Sequence, residues 1–463
     1  MQSQRLSFVN VGIGYLSLVI SHWSLIIDHW SLVIDHWSLI IALLLTLTGC
    51  GFLPLTPTAT PISPRPSPTP PPPTSTPTLT PQPQPLIITL TLWVPEQFSP
   101  YGDRPGADVL AQQLDDFSAA YPDIQVEVVA KKAHGRGGLL DFLRTARDAA
   151  PSVMPDLVVL DAAGLETAAG SDLIQPLDDL LSPSITTDRF PFATALGEVG
   201  EQTMGFVVAA DMQHLAYRPA LFESPPVSWT QVISAPAPFL FPARGHDRQV
   251  NDATLTQYLA TGGKLTDPDG EPWLDEEAMV SVLSFYSTCI STTVISPAVV
   301  LDIADADQAW EQFQAGEGGM AVVPASRYWF EADETVAAAP VPTHDGQPFS
   351  IARGWAVAMV TGAPARQSLA MLLLDWLIAP DHSAQWTWAA GYLPGTRGAL
   401  RLWDISGADR AILRSVMEAA VPPPRPEVMA AVGPAMQEAL EAVLRGRATP
   451  EEAAAAAVKA LEE

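Results

Sequence analysis

The stretch PDLVVLDA, residues 155–162, decides the fold class of this chain. Its four central residues are all apolar, whereas a strand with one face in water alternates apolar and polar side chains. An unbroken apolar run is typical of a strand that is buried on both faces, in a sheet covered by helices on both sides. Asp161 then marks the carboxyl end of this strand.

The segments before this strand alternate between strand and helix. IITLTLWV (residues 87–94) alternates apolar and polar residues, and YPDIQVEVV (residues 121–129) repeats the pattern after Pro122. One helix face between them carries four large apolar residues: Leu110, Leu114, Phe117 and Tyr121. A second helix is predicted at residues 138–149. This order of elements predicts an α/β fold with a parallel, doubly wound sheet.

Beyond residue 252 the pattern is mainly helical, and two helix starts carry a capping signal. Ser228 with Gln231, and Thr449 with Glu452, have the spacing of capping boxes. Cys289 lies within a helical pattern, where we expect a small buried hydrophobic residue.

Composition narrows the classes of function. The chain of 463 residues holds 51 Asp and Glu against 24 Lys and Arg, a formal net charge of −27. A surface of this sign repels nucleic acid and anionic lipid, so we expect neither as a partner. The chain has two cysteines, which excludes a disulfide framework, and the scattered histidines are interpreted as surface or packing residues. We therefore expect no metal site and no cofactor.

The N-terminal residues indicate a secretion leader. Residues 38–48 are apolar over the length of a signal-peptide core and are too short for a bilayer span of ~20 residues. The true start of translation stays open, because basic residues ahead of this core are nearly absent. A membrane helix over residues 25–47 is the alternative, and it has to place Asp28 and Asp35 inside or beside the bilayer.

A lipid anchor and a tether are predicted next. LTGC, residues 47–50, resembles the lipobox of bacterial lipoproteins, in which the cysteine is lipidated and becomes the mature N-terminus. Residues 51–85 include 14 prolines, mostly alternating with Thr, Ser and Gln. Such a segment cannot bury enough apolar surface to fold and favours an extended polyproline II spacer. We predict a leader at residues 1–49, a lipidated Cys50 with a disordered tether at residues 50–85, and a folded body after it.

From about residue 87 to the C-terminus, the chain resembles the family 1 extracellular solute-binding proteins of bacterial ATP-binding-cassette (ABC) importers, which include maltose-binding protein. Seven segments in the family's order carry the resemblance: LTLWVP (90–95), AQQLDDFSAAYPDIQVEVV (111–129), MPDLVVLDAAGLETAAGSDLIQPLDDLL (154–181), ADMQHLAYRPALFESPPVSWTQV (210–232), AWEQFQAGEGGMAVV (309–323), WLIAPDHSAQWTWAAGYLPGTRGAL (376–400) and AVLRGRATPEEAAAAA (442–457). Each segment is moderately specific, and their common order makes the resemblance strong.

The resemblance implies a type II periplasmic-binding-protein-like fold. Each of its two lobes would be a mainly parallel sheet flanked by helices, with the ligand cleft between the lobes. Residues 86–203 plus 355–399 would form lobe 1, and residues 204–354 plus 400–463 would form lobe 2. Hinge closure around the ligand would then present a docking surface to a membrane permease.

The function implied is that of an extracytoplasmic, non-enzymatic binding protein. It would be anchored to the cell membrane through lipidated Cys50, capture a sugar or oligosaccharide, and deliver it to the permease subunits of an ABC transporter. We expect a monomer. A lipoprotein that reports its ligand to a membrane sensor kinase would share every one of these features. A glycan hydrolase built from two distant carboxylates also stays open, although HExxH and GxSxG motifs are absent from the sequence.

Sugars present apolar C–H faces and a fringe of hydroxyls, so their sites pair aromatic rings with carboxylate, amide or guanidinium groups. Residues of these types near strand ends, crossing strands and the GYLPG turn are the candidate ligand-binding residues: Trp93, Glu96, Asp161, Asp211, Arg327, Tyr328, Trp329, Arg353, Trp355 and Tyr392. Core packing is the alternative for Trp93, a solvated loop charge for Glu96, and an interlobe structural role for Arg353 and Trp355. Arg327 with Arg353 is the pair predicted for a phosphate-bearing ligand.

Overall fold

The structure is a computed structural model that describes residues 87–462. The predicted leader, Cys50 and the tether lie outside the described residues. Within the described range, no helix is both long enough and apolar enough to cross a bilayer.

The described residues alternate between strands and helices along the whole body. The strands are β1 (Ile88–Pro95), β2 (Ile124–Lys131), β3 (Leu157–Asp161), β4 (Glu198–Val199), β5 (Gln202–Thr203), β6 (Phe206–Tyr217), β7 (Phe239–Leu240), β8 (Met320–Pro324), β9 (Ala337–Ala339), β10 (Ser350–Met359) and β11 (Ala420–Val421). The α-helices are α1 (Ala107–Ala120), α2 (Leu139–Ala149), α3 (Ala162–Gly170), α4 (Pro183–Asp188), α5 (Pro191–Gly197), α6 (Trp229–Ile233), α7 (Asp252–Ala260), α8 (Glu276–Ser291), α9 (Pro297–Val300), α10 (Ala306–Gln314), α11 (Ala325–Glu331), α12 (Pro364–Ile378), α13 (Pro380–Ala390), α14 (Arg397–Leu402), α15 (Gly407–Ala419), α16 (Pro426–Leu444) and α17 (Pro450–Lys459).

The first three strands form the parallel sheet that the sequence predicts. β1 pairs in parallel with both β2 and β3. The four apolar residues of β3 are buried, with Leu157 and Val159 in the apolar core on one face and Val158 and Leu160 in the core on the other. Burial on both faces is why this strand lacks the alternation of a half-exposed strand. Its carboxyl end, at Asp161, emerges at the same edge of the sheet as the ends of β1 and β2.

Two long strands connect this part of the sheet to a second part. The strand order is β2-β1-β3-β10-β6-β8-β7. β10 runs antiparallel to β3 and to β6, and β6 pairs with β10 through residues 206–212 before pairing with β8 through residues 213–217. The sheet is therefore mixed at the two crossing strands, while β7 and β8 form a further parallel pair.

The second part of the body is covered by helices, as the sequence pattern predicts. Trp310 and Phe313 on α10 are fully buried, and so is Cys289 on α8. Both predicted capping boxes are present, at the start of α6 and at the start of α17. Each box satisfies backbone N–H groups that a helix start otherwise leaves without a partner.

Candidate functional site

A cleft of about 680 Å³ opens beside the crossing strand β10. One wall comes from α3, α5 and the β4–β5 hairpin, and the other from α7 and the segment 422–429. The floor is β10 at residues 353–355. Its lining side chains include aromatic, acidic, basic and amide groups: His134, Asp161, Glu166, Glu198, Gln249, Asp252, Arg353, Trp355 and Arg425.

Trp355 lines the cleft from β10, opposite Asp161 at the end of β3. The register between β10 and β6 shifts at this point, because Val208 of β6 has no partner between the pairs Trp355–Ala209 and Ala356–Val207. A side chain on the preceding Gly354 would be crowded, because a Cβ there would lie 3.1 Å from the carbonyl oxygen of Ala209. The indole packs edge-on against Phe98, with ring centroids 5.6 Å apart, so it is held in place from below.

His134 and Asp161 lie beside this indole. The imidazole of His134 is 5.7 Å from the Trp355 ring between centroids, and its Nε2 is 3.9 Å from Oδ2 of Asp161. The other carboxylate oxygen of Asp161 accepts a hydrogen bond from the backbone N–H of Gly164 (2.9 Å) and so caps α3. A capped, partly buried carboxylate next to an indole is a fixed hydrogen-bond acceptor beside an apolar ring.

Arg353 is oriented by a two-point ion pair across the cleft. Its Nε and Nη2 each donate a hydrogen bond of 2.8 Å to one oxygen of Asp252, the first residue of α7. The Asp252 carboxylate raises the pKa of Arg353 further above its usual value. The side chain is still 62% exposed, so its remaining N–H groups face the open cleft.

The opposite rims of the cleft carry exposed charges. Glu166 and Glu198 are exposed on one wall, and Arg425 is exposed on the other, at the end of the run Pro422–Pro424. Proline fixes its own backbone angle, so this wall is held stiffly next to the start of α16.

A second cavity of about 440 Å³ adjoins the cleft. The two share His134, Asp161, Ala163 and Trp355. The second cavity extends towards the loop between β2 and α2, which contributes Arg136, while α2 contributes Arg144.

The family of bacterial extracellular solute-binding proteins matches residues 112–408, which is more than half of the chain. This chain belongs to that family. Its fold is shared with solved structures of low sequence identity. A maltose-bound protein from T. maritima is 20% identical with a TM-score of 0.60, covering 81% of this chain and 99% of that chain. A binding protein for cyclic alpha-maltosyl-1,6-maltose from Arthrobacter globiformis is 20% identical, with a TM-score of 0.62 and coverages of 81% and 98%.

A third neighbour is the sugar-binding protein MalE of Xanthomonas citri, at 18% identity and a TM-score of 0.65, with coverages of 81% and 96%. A comparison with curated protein sequences gives no significant match. These likenesses assign the type II periplasmic-binding-protein fold, as the sequence predicts. They say nothing by themselves about what this solute-binding protein binds.

Three of the ten candidate ligand-binding residues of this solute-binding protein line the cleft together. They are Asp161, Arg353 and Trp355. β3 ends at Asp161, and the register pairs this residue with Trp355 on β10. The remaining seven candidates line neither the cleft nor the adjoining cavity.

The core holds two of these seven. Trp93 is 5% exposed and packs against Phe142, with Lys131 Nζ 4.5 Å from its ring centroid. Tyr328 is also buried, edge-on to His214 with centroids 4.7 Å apart.

Trp329 and Tyr392 pack against neighbouring aromatic rings. Trp329 is partly buried beside Tyr328, at 4.9 Å between centroids. Tyr392 packs edge-on to Phe98 at 5.2 Å, next to the backbone hydrogen bonds that join Leu393 to Ala210 on β6.

Asp211 has a partner within the protein. Its Oδ1 accepts hydrogen bonds from the backbone N–H groups of Met212 (2.8 Å) and Ser326 (3.0 Å), and its Oδ2 accepts one from the Ser326 hydroxyl (2.5 Å). The carboxylate therefore ties crossing strand β6 to the first turn of α11. Burial raises the pKa of Asp211 to about 6, and the Ser326 hydrogen bonds oppose that rise.

Arg327 and Glu96 lie at the protein surface. Arg327 forms ion pairs with Glu331 (2.5 Å) on its own helix, α11, and with Asp307 (3.2 Å) on α10. The pair of Arg327 with Arg353 that the sequence suggested for a phosphate is already neutralised by carboxylates on both members. Glu96 is exposed at the start of a short 3-10 helix, Glu96–Phe98, that follows β1.

Several residues that line the cleft are not among the candidates predicted from the sequence. His134 lies in the loop after β2, at the same sheet edge as the ends of β1 and β3. The rule that ligands gather at carboxyl ends of strands therefore applies to this loop as well. The proline run at residues 422–424 was a second visible signal, because consecutive prolines make a segment stiff. Nothing in the local sequence pairs Asp252 with Arg353, which is 101 residues away.

Proposed function

We propose that this solute-binding protein captures a sugar or oligosaccharide in the cleft beside β10 and delivers it to the permease of an ABC importer. The observation that carries the proposal is the indole of Trp355 lying beside the capped carboxylate of Asp161 and the oriented guanidinium of Arg353. An aromatic face can cover the C–H side of a sugar ring, while the charged groups bind its hydroxyls.

The structural neighbours support this choice of ligand class. They include a maltose-bound protein, a cyclic alpha-maltosyl-1,6-maltose-binding protein and a cyclo/maltodextrin-binding protein in complex with maltotetraose. The cleft volume of about 680 Å³ is in the range of small-molecule sites and has room for more than one sugar ring.

The lobe division at residues 86–203 plus 355–399 and 204–354 plus 400–463 is part of the proposal. β6 and β10 would act as the hinge, because they are the strands that run through both parts of the sheet. Closure would bring the wall carrying Glu166 towards the wall carrying Arg425. Lipidation of Cys50 and the proline-rich tether would keep the receptor within reach of the permease.

A ligand screen tests the binding step. The purified full-length chain is heated with malto-, manno- and cello-oligosaccharides, and a ligand at 100 times its dissociation constant should add ~2.7 kcal/mol to folded-state stability. We expect Trp355→Ala to lower the affinity for the best ligand by about tenfold, which is the loss expected for one aromatic contact. Trp388→Ala is the matched control, because Trp388 is exposed and packs on Trp403 away from the cleft. Equal losses in both variants would place the ligand elsewhere.

Uptake tests the delivery step separately. Cells that carry the wild-type gene should import the labelled ligand faster than cells that lack it. Cys50→Ala should release the protein from the membrane and slow import. Binding without any effect on import would favour a sensor function over an importer.

A further inference from the structure

The second cavity points to an additional feature of the ligand. It adjoins the cleft across Trp355 and Asp161, so a ligand bound on the indole can extend into it. Its volume of about 440 Å³ is large enough for a further sugar unit. Two arginines, Arg136 and Arg144, give this cavity a positive side.

These arginines lie in the most basic stretch of an acidic chain. Residues 131–147 hold five Lys or Arg against one acidic residue, whereas the whole chain carries a net charge of −27. Arg136 lies in the loop after β2 and Arg144 lies on α2, and both side chains are exposed. A local positive field on an acidic protein attracts an anion only where it is concentrated, as it is here.

The two guanidinium groups are also unoccupied. Within residues 87–462, the side chains of Arg136 and Arg144 have no hydrogen bond and no ion pair with another described group. The neighbouring Arg147 differs, because it donates to the carbonyl of Ser171 (2.7 Å) and to Asp148 (3.0 Å). Lys131 is also engaged, since its Nζ lies 3.8 Å from the centroid of the Phe142 ring.

The carboxylates that line the same cavity accept hydrogen bonds from backbone N–H groups. Asp141 Oδ2 accepts a hydrogen bond from the N–H of Gly137 (2.8 Å), and Asp161 Oδ1 accepts one from Gly164 (2.9 Å). Both carboxylates therefore have fixed local partners that position them, whereas the two guanidinium groups are free to turn towards a ligand. A guanidinium pairs through two parallel N–H groups with a carboxylate, and this geometry is specific for planar oxyanions.

We propose that the second cavity is a subsite for an acidic sugar unit, with Arg136 and Arg144 binding the carboxylate of a uronic acid residue. The proposal rests on the proposed function, because the neutral part of the same oligosaccharide occupies the cleft at Trp355. It narrows the substrate class from sugars in general to acidic oligosaccharides.

The test compares each neutral oligosaccharide with its counterpart oxidised to the uronate at C6, and with the methyl ester of that uronate. Calorimetry on the full-length chain should show at least one uronate binding about tenfold more tightly than both its neutral parent and its uncharged ester. The preference should shrink as salt rises from low to physiological concentration, because the arginines are exposed to solvent.

Variants locate the subsite. In Arg136→Gln with Arg144→Gln, the ratio of uronate to neutral affinity should fall to about one. In Arg147→Gln, on the same helix but outside the cavity, the ratio should be the same as in the wild type. A preference that survives the double substitution, or that is lost equally in the control, overturns the proposed subsite.

The outcomes separate the two proposals. If neutral sugars bind and no uronate binds more tightly, the acidic subsite is refuted and the sugar-binding function stands. If a sulfate ester at C6 gains affinity and a carboxylate does not, the assignment to a uronic acid is wrong. If no sugar of any kind binds, the proposed function fails and the subsite fails with it.

Discussion

The carboxylate of Asp211 gives a pH-dependent prediction that can be worked out from the structure. Its ordinary pKa is 3.8, and burial raises the pKa in the folded state to about 6, against the opposing effect of the Ser326 hydrogen bonds. A folded-state pKa above the unfolded value means that the favourable contribution is fully present below about pH 4 and is lost as the pH rises through about 6. A shift of about two pKa units corresponds to about 3 kcal/mol of unfolding free energy.

The substitution that isolates this effect is Asp211→Asn. Asparagine resembles the protonated acid, since it can accept from the Ser326 N–H and donate to the Ser326 hydroxyl, and it does not titrate. We therefore expect the wild type to lose stability relative to Asp211→Asn as the pH rises. Of this loss in unfolding free energy, about 2 kcal/mol should occur between pH 4.5 and pH 7.5, and the rest occurs at lower pH.

Urea unfolding across this pH range measures the difference directly. The other titrating groups are common to both proteins, so their contributions cancel in the comparison. Asp103→Asn, on an exposed turn, is the matched control and should follow the wild-type profile. Parallel profiles of the wild type and Asp211→Asn would refute the reasoning, because they would mean that Asp211 is as solvated in the folded state as in the unfolded chain.

Three further substitutions test contacts that hold the site's framework. Asp156→Ala removes the acceptor of Arg366 and should cost about 3 kcal/mol in urea unfolding, and additivity with Arg366→Met would contradict the shared contact. Asp252→Asn should change the unfolding free energy by no more than about 1 kcal/mol, because the Arg353 side chain of this pair is exposed. The same substitution should lower the sugar affinity measured by calorimetry. An unchanged affinity would show that the orientation of Arg353 does not affect binding. Thr449→Ala should lower stability by about 1 kcal/mol through loss of the helix cap, while Thr449→Ser should retain most of it; equal losses would exclude the hydroxyl as the cause.

The acidic character of the chain is compatible with the proposed binding of a sugar in the cleft. The net charge of −27 belongs to the whole surface, whereas binding depends on the few groups that line the cleft and its neighbour. Both cavities carry arginines whose side chains have no partner among residues 87–462, namely Arg425 on the cleft and Arg136 with Arg144 on the second cavity. The sequence-based pair, Arg327 with Arg353, was chosen by residue type, and each member has an acidic partner.

The amino-acid sequence by itself determined the elements of the body. The apolar run of β3, the helix face of α1 and the two capping boxes are local patterns, because they depend on residues a few positions apart. The order of these elements and the seven segments then determined the family and the fold. Asp161 was also predictable, since it directly follows a buried strand at an edge where ligands gather.

Only the tertiary structure decided which candidate side chains share a cavity. Trp93 and Trp355 are both tryptophans on strands of the same sheet, yet Trp93 is buried beneath Lys131 and Trp355 lines the cleft beside His134 and Asp161. Asp211 and Asp161 are both strand aspartates that accept a hydrogen bond from a backbone N–H in the first turn of a helix. The donor to Asp211 is Ser326, which is 115 residues away in sequence, so this carboxylate joins β6 to α11. Such contacts join residues that are far apart in the chain, so no local pattern records them, and the physical reason for each lies in how the strands pair.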